Sequence, residues 1–265
     1  SPDTMAWLLK EGVQDMIGAA RPSIADPFIP NKIDAGQIED IRECIGCNVC
    51  YAHDSLGVPI RCTQNPTMGE EWRLGWHPEK VKRTPKAEKV LVVGAGPAGL
   101  EATRVLGQMG HSVLLAEADR TLGGRVTREA KLPGLAEWAR VRDWRLTQID
   151  KLTTVEVFPQ SPMTADSVLE LGVSRVLIAT GAKWAKDAVG RHSDIGFTQT
   201  DPTMIVTGDK ILDGSKINGK KIVIYDDDHY YFGSVCALEL RKRGHEVVLI
   251  TPAGRVCGWG AYTDE

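Results

Sequence analysis

The rhythm of apolar and polar positions changes several times along this chain, and each change predicts an element. In SPDTMAWLLKEG, Ser1 is placed as an N-cap and Pro2 at the first helical position, so a helix is predicted to about Lys10 with Gly12 as its stop. VQDMIGAARP reads as a buried strand over Val13–Ile17 that leaves through small residues. Pro22, Pro27 and Pro30 mark an irregular stretch; a short helix is predicted near Ala35–Cys44, a loop over 44–66, and a polar connector from there to about Lys89. The order then becomes regular. KVLVVGAGPAGLEATRVLGQMGHSVLLAEA is strand, glycine-rich turn, helix, Gly110 and strand. Region 121–154 is less regular and carries the helix LAEWARVRDWRLTQI, and strands are predicted near 155–158 and 175–179. From 221, KKIVIYDDDHYYFGSVCALELRKRGHEVVLIT repeats the pattern, so that GHSVLLAE (110–117) aligns with GHEVVLIT (244–251). Strands alternating with helices predict an α/β chain with two related nucleotide-fold units.

Composition narrows the class. The 265 residues are 42% hydrophobic and 25% charged, enough for one large or two medium domains. A net charge of −3 implies no general attraction to nucleic acid or to an anionic membrane. No apolar run approaches the roughly 20 residues that span a bilayer. The opening reads as a capped helix and not as a signal peptide, which predicts a reducing, cytoplasmic setting where six cysteines are poor disulfide candidates. The missing initiator Met, and an end at GWGAYTDE soon after a predicted strand, predict a fragment of a longer chain.

The first glycine-rich turn has its full context. Gly94 permits the tight turn, Gly96 lets backbone approach a pyrophosphate, and Gly99 lets the helix pack on the sheet. The N-terminus of the next helix offers N–H groups to the anion, and Glu117, at the end of the next strand, can hold ribose hydroxyls. In LGGRV, Gly123 and Gly124 allow a second close approach and Arg125 can neutralise phosphate; IATGA (178–182) ends a strand with small residues. Each of these short pieces alone also reads as an ordinary turn. The second unit has Asp226, Asp228 and Tyr231 at the glycine positions and Thr251 in place of the acid, which predicts a retained fold without dinucleotide binding. A metal site at Asp226, Asp228 and His229 is an alternative to solvated loop acids.

Cys44, Cys47, Cys50 and Cys62 are spaced C-x2-C-x2-C-x11-C. Zinc sites use two separated C-x2-C pairs, whereas three thiolates in one loop with a distant fourth match the corners of a [4Fe–4S] cluster. Zinc and structural thiols remain the alternatives. Cys236 reads as core packing in a helix, and Cys257 is isolated.

IGAARPSIADPF, CIGCNVC, IRCTQNP, GEEWRLGWHPEK, VVGAGPAGLEA and VIYDDDHYYFG, in this order, resemble the bacterial amine dehydrogenases that act on trimethylamine, dimethylamine and histamine. The resemblance covers nearly the whole chain. It implies the end of an FMN-binding TIM barrel over 1–35, related to old yellow enzyme, and a [4Fe–4S] segment and connector over 36–84. A Rossmann-like domain binding ADP or FAD would come next over 85–205, then a degenerate, truncated second nucleotide domain over 206–265, in the tandem manner of disulfide reductases. It implies cluster ligands at Cys44, Cys47, Cys50 and Cys62, nucleotide contacts at Gly94, Gly96, Gly99 and Glu117, and Ala20 and Arg21 near the FMN phosphate, where barrels of this kind hold phosphate after their last strands. It implies oxidation of a small amine at FMN, electron exit through the cluster to electron-transferring flavoprotein, and a homodimer. No residue here is assigned to acid, base or nucleophilic chemistry. Arg140 stands where the trimethylamine member has a surface tyrosine. Two other readings stand beside this one: an NAD(P)H-dependent reductase of the 2,4-dienoyl-CoA reductase type, which carries three residues between the second and third cysteines and an intact second turn, and a free-standing electron-transfer subunit.

Overall fold

A computed structural model describes residues 1–192, 194–196 and 201–260, so the last five residues of GWGAYTDE lie outside the described residues. The chain divides into two compact units, residues 1–126 with 138–180, and residues 127–137 with 181–265.

The first unit opens on α1 (Pro2–Lys10), capped as expected: Ser1 Oγ accepts from the Thr4 N–H at 3.3 Å. The strand expected over Val13–Ile17 does not form. None of the described strands pairs with it, and Val13 and Met16 are 62% and 80% exposed. A run of apolar residues becomes a strand only where a neighbour meets its N–H and C=O groups. Helices α2 (Ala20–Ala25) and α3 (Ile29–Asp34) come next. The helix expected near Ala35–Cys44 shrinks to one 3₁₀ turn at Ile38–Asp40. Its reason is local: the Asp40 carbonyl accepts from Lys32 Nζ at 2.8 Å and Trp144 Nε1 at 3.0 Å, so it is engaged by side chains rather than by a helical N–H. The loop expected over 44–66 holds a helix, α4 (Val49–Ser55), entered through Asn48 in the left-handed region at φ 53°. Only Cys50 and Ala52 of α4 are buried, so it carries little apolar periodicity. A one-turn helix, α5 (Glu71–Leu74), ends at Gly75.

Strands β1 (Lys89–Val93), β2 (Ser112–Ala116), β3 (Val155–Phe158) and β4 (Arg175–Ile178) form one parallel sheet in the order β3-β2-β1-β4. The register aligns Val93 with Ala116 and with Ile178, so all the strands end at the same edge. Between β1 and β2 runs α6 (Pro97–Met109); α7 (Arg125–Glu129), α8 (Ala139–Asp150) and α9 (Ala165–Glu170) come later. One face of the sheet buries Val92, Val113 and Leu115 with Leu100 of α6 and Ile149 of α8. The other packs Leu91 and Leu114 against Val168 and Val173. Burial on both faces of β1 and β2 explains why these two central strands read as continuous apolar runs, while β3 and β4 are largely exposed.

The second unit carries α10 (Gly208–Leu212), β5 (Lys221–Tyr225), α11 (Tyr231–Lys242) and β6 (Glu246–Ile250), with β5 and β6 parallel and Val223 opposite Val248. Its buried side chains include Phe232, Val235, Cys236 and Leu240, all on the inward face of α11, which places Cys236 in the core as expected. Among the described residues no helix is long and apolar enough to cross a membrane.

Candidate functional site

The glycine-rich turn leaves β1 where the strand ends align. Gly94 sits at φ 99°, and a Cβ there would lie 2.4 Å from the Ala179 carbonyl oxygen; a Cβ on Gly99 would lie 1.8 Å from the Gly94 oxygen. Both glycines are therefore demanded by packing. Gly96 differs. It is the N-cap of α6, has an ordinary φ of −72°, and a Cβ would meet nothing within 4 Å. The space in front of Gly96 is open, as close approach of an anion to the turn requires. The LGG turn closes over it: the Gly123 N–H donates to the Ala95 carbonyl at 2.7 Å, and Gly124, at φ 54°, has no room for a side chain free of the Gly96 Cα. Glu117 is buried beside the same turn. Its Oε2 accepts from the Ala95 N–H at 2.7 Å and its Oε1 from Asp119 N–H at 2.9 Å, leaving each oxygen a lone pair for a hydroxyl donor. Arg125 begins α7, half-buried, next to this turn in sequence.

Three of the cysteines of the spaced motif, Cys44, Cys47 and Cys62, come from two loops of the first unit, and Cys50 from the first turn of α4. The Gly46 N–H donates to Cys44 Sγ at 3.4 Å, and the Gln64 and Asn65 N–H groups donate to Cys62 Sγ at 3.4 and 3.3 Å. Cys47 Sγ is 3.1 Å from Thr63 Oγ1, which brings the two loops together. Burial pushes the Cys50 and Cys62 thiols up from their ordinary value, and the nearness of Cys47 and Cys44 adds to the rise in both. Among the described residues the set of three metal-ligating groups within 4.8 Å of one another is His192, Asp227 and His229.

Side chains that the motif does not mark hold these loops. Gln64 Nε2 donates to the Glu43 carbonyl at 3.0 Å, tying one cysteine loop to the other. Arg145 of α8 donates to Gln64 Oε1 at 3.0 Å and to its carbonyl at 3.2 Å, and pairs through Nε with Glu101 of α6 at 2.8 Å. Glu101 also pairs with Arg104 at 2.6 Å, and Arg42 lies 4.2 Å above the Trp144 ring. A buried polar chain thus runs from beside Cys62 to α6, the helix after the glycine-rich turn. Arg140 pairs with Glu43 at 3.0 Å and donates to the Cys44 carbonyl at 3.1 Å. Ala20 and Arg21 are exposed at the start of α2, and Arg21 hydrogen-bonds Asn48, between Cys47 and Cys50. Periodicity carried a signal for one of these charges. Arg104 lies four residues after the buried Leu100, on the inward stripe of the amphipathic α6, whereas α8 around Arg145 has no such stripe.

In the second unit the turn after β5 is closed to anions by its own acid. Asp226 is buried, and its Oδ1 accepts from the Asp228 and His229 N–H groups at 3.1 and 3.3 Å. A Cβ on Gly233 would lie 2.6 Å from the Asp226 carboxyl carbon, so the carboxyl group occupies the space before α11. The structure does not gather Asp226, Asp228 and His229 as a ligand set; Asp227, and not its neighbours, turns to His229.

A family model described as FAD dependent oxidoreductase matches residues 89–156, which hold the glycine-rich turn and Glu117. The chain is 45% identical to a dimethylamine dehydrogenase of Hyphomicrobium sp. (strain x), over 99% of this chain and 36% of that protein. The solved histamine dehydrogenase of Rhizobium sp. 4-9 is 52% identical with a TM-score of 0.95, over 99% of this chain and 39% of that one. The solved 6-hydroxypseudooxynicotine amine oxidase of Pseudomonas geniculata N1 is 46% identical with a TM-score of 0.96, over 99% and 40%. The chain therefore spans just over a third of the length of the curated relatives it matches. At this identity, sustained along the whole chain and over the same backbone, it belongs to the family of the dimethylamine and histamine dehydrogenases.

Proposed function

We propose that this chain supplies the electron-exit part of an amine-oxidising flavoprotein, with a [4Fe–4S] cluster on Cys44, Cys47, Cys50 and Cys62 and ADP, or the ADP half of FAD, on the first glycine-rich turn. The observation that carries the reading is the cysteine site: four thiols in the C-x2-C-x2-C-x11-C pattern, with backbone N–H groups donating to Cys44 and Cys62 and Cys47 Sγ brought 3.1 Å from Thr63 Oγ1 beside Cys62. Bound flavin supplies two-electron oxidation of the amine, and a bound cluster supplies one-electron transfer toward a protein acceptor, here electron-transferring flavoprotein.

The chain's own residues do the holding. The Gly46, Gln64 and Asn65 N–H groups face the ligand sulfurs and stabilise them as thiolates. Gly96 leaves room for a pyrophosphate at the α6 N-terminus, Gly124 and Arg125 flank it, and Glu117 takes the ribose hydroxyls. Ala20 and Arg21 are assigned to the FMN phosphate at the end of a TIM barrel (1–35), with the cluster segment (36–84) and tandem Rossmann-like folds (85–205 and 206–265) after it. The substrate class, a small amine, rests on relatives that oxidise dimethylamine and histamine. Anaerobically purified protein is expected to hold about four iron and four sulfide per chain, and Cys47→Ala to lose them. Stoichiometric zinc without iron overturns the assignment.

A further inference from the structure

We propose that His192, Asp227 and His229 form a binding site for a divalent transition metal of the zinc class, with one coordination position open to water. The site lies entirely in the second unit, at the turn after β5 where an intact glycine fingerprint would receive a pyrophosphate. Three ligand atoms converge there. His229 Nε2 is 3.2 Å from His192 Nδ1 and 3.7 Å from Asp227 Oδ1, and His192 Nδ1 is 2.5 Å from Asp227 Oδ1. Zinc bonds of about 2.0–2.1 Å to nitrogen and oxygen set tetrahedral ligands roughly 3.3 Å apart. Two of the three separations already match, and the third opens by rotation of the exposed His192 ring.

Hydrogen bonding alone satisfies this arrangement poorly. His229 Nδ1 lies 3.1 Å from Thr251 Oγ1. When Nδ1–H donates to that hydroxyl, Nε2 is left as a lone pair aimed at His192 and Asp227. The single proton on His192 Nδ1 must then serve both the carboxylate and the second imidazole. A cation serves all three lone pairs at once. The supporting contacts are those a metal site needs. Thr251 fixes the His229 tautomer, and the other Asp227 oxygen, Oδ2, accepts from the backbone N–H groups of Arg191 and His192, which leaves Oδ1 to the cation. The buried His229 side chain is 2% exposed and the His192 side chain 43%, so the site has a rigid floor and an open entry. Two imidazoles with one carboxylate select zinc-like ions over magnesium or calcium, which prefer all-oxygen shells. Where the first turn accepts an anion, the second has inverted its charge and would accept a cation. The metal would pin Arg191 and His192 to the β5 turn, to which hydrogen bonds to Asp227 otherwise hold them.

The test uses the full chain with its cysteines loaded with iron, so that thiols do not compete. After chelation and desalting, wild type titrated with Zn²⁺ is expected to take up one more equivalent than His192→Ala or Asp227→Asn, and affinity in either variant to fall by more than about a hundredfold. Zinc is expected to raise the Tm of wild type and leave that of His192→Ala unmoved. Because His192 is exposed, that variant keeps its fold, and an unchanged Tm without zinc verifies it. With Co²⁺ as the probe, wild type is expected to show a four-coordinate spectrum without thiolate charge-transfer bands, and the variants none. Equal zinc uptake and equal Tm shifts in wild type and both variants overturn the proposal, as does a cobalt spectrum with thiolate bands alone. The iron count is read separately, so failure here leaves the cluster assignment standing.

Discussion

Glu101 shows how one residue can hold a region together. It is the carboxylate that pairs with both Arg104 and Arg145, while Arg42 packs on Trp144 beside them. Burial alone would raise its carboxyl, but hydrogen bonding to Arg104 and the charges of Arg104, Arg145 and Arg42 outweigh burial and hold it below its ordinary 4.5. A carboxyl depressed in the folded state stabilises the fold fully above its unfolded pKa, and that contribution fades as pH falls below about 4.5 and through the lowered folded value. Glu101→Gln leaves buried guanidinium groups without their counter-charge and is expected to cost about 3–5 kcal/mol near neutral pH. Urea denaturation along a pH series checks both parts: the midpoint drops at pH 7, and the gap between variant and wild type narrows toward pH 3. A constant gap across that range would mean that the carboxylate's charge contributes nothing.

At the scale of the element, the glycine-rich turn separates folding from binding within six residues. Gly94 and Gly99 have no room for a side chain, so Gly94→Ala is expected to destabilise by about 1–3 kcal/mol through its left-handed φ and the clash with the Ala179 carbonyl. Gly96 faces open space at an ordinary φ, so Gly96→Val is expected to fold normally and release the nucleotide on purification. Thermal denaturation of both variants, with chromatography of the nucleotide freed by denaturation, distinguishes them; a Gly96→Val protein that keeps its nucleotide would refute the proposed pose. This turn was legible in the sequence because strand, glycines, helix and acid are contiguous, and so were β1 to β6, which are short apolar runs bounded by polar residues and glycines. Elements whose partners are not local were not legible. Val13–Ile17 has a strand's composition but no neighbour to pair with, and α4 is a helix with only two buried residues. The cysteine cluster stands out in the sequence by its spacing, but the side chains around it do not: Gln64 and Arg145 are 81 residues apart, as His192 and Asp227 are 35 apart, and no local pattern links such pairs.

For the molecule as a whole, the two repeated βαβ segments have the same strand–turn–helix–strand order and opposite electrostatics. In the first, the α6 N-terminus looks into open space before Gly96. In the second, Asp226 already accepts the turn's N–H groups, its carboxyl group fills the space before α11, and Thr251 stands where a ribose would need a carboxylate. A doubly charged pyrophosphate would have to displace a buried carboxylate and then sit beside Asp227, a cost in charge and sterics. A nicotinamide cofactor therefore has no site on this turn, and reducing equivalents are expected to enter from the amine. The measurement is anaerobic stopped-flow mixing of the complete natural protein, watching flavin absorbance. Saturating NADH or NADPH is expected to leave the flavin oxidised, and a small amine such as dimethylamine or histamine to bleach it promptly. Rapid bleaching by NADH would overturn the amine dehydrogenase reading in favour of a nicotinamide-dependent reductase. It would also require a nicotinamide site elsewhere than the β5 turn, because the hydrogen bonds of Asp226 leave none there.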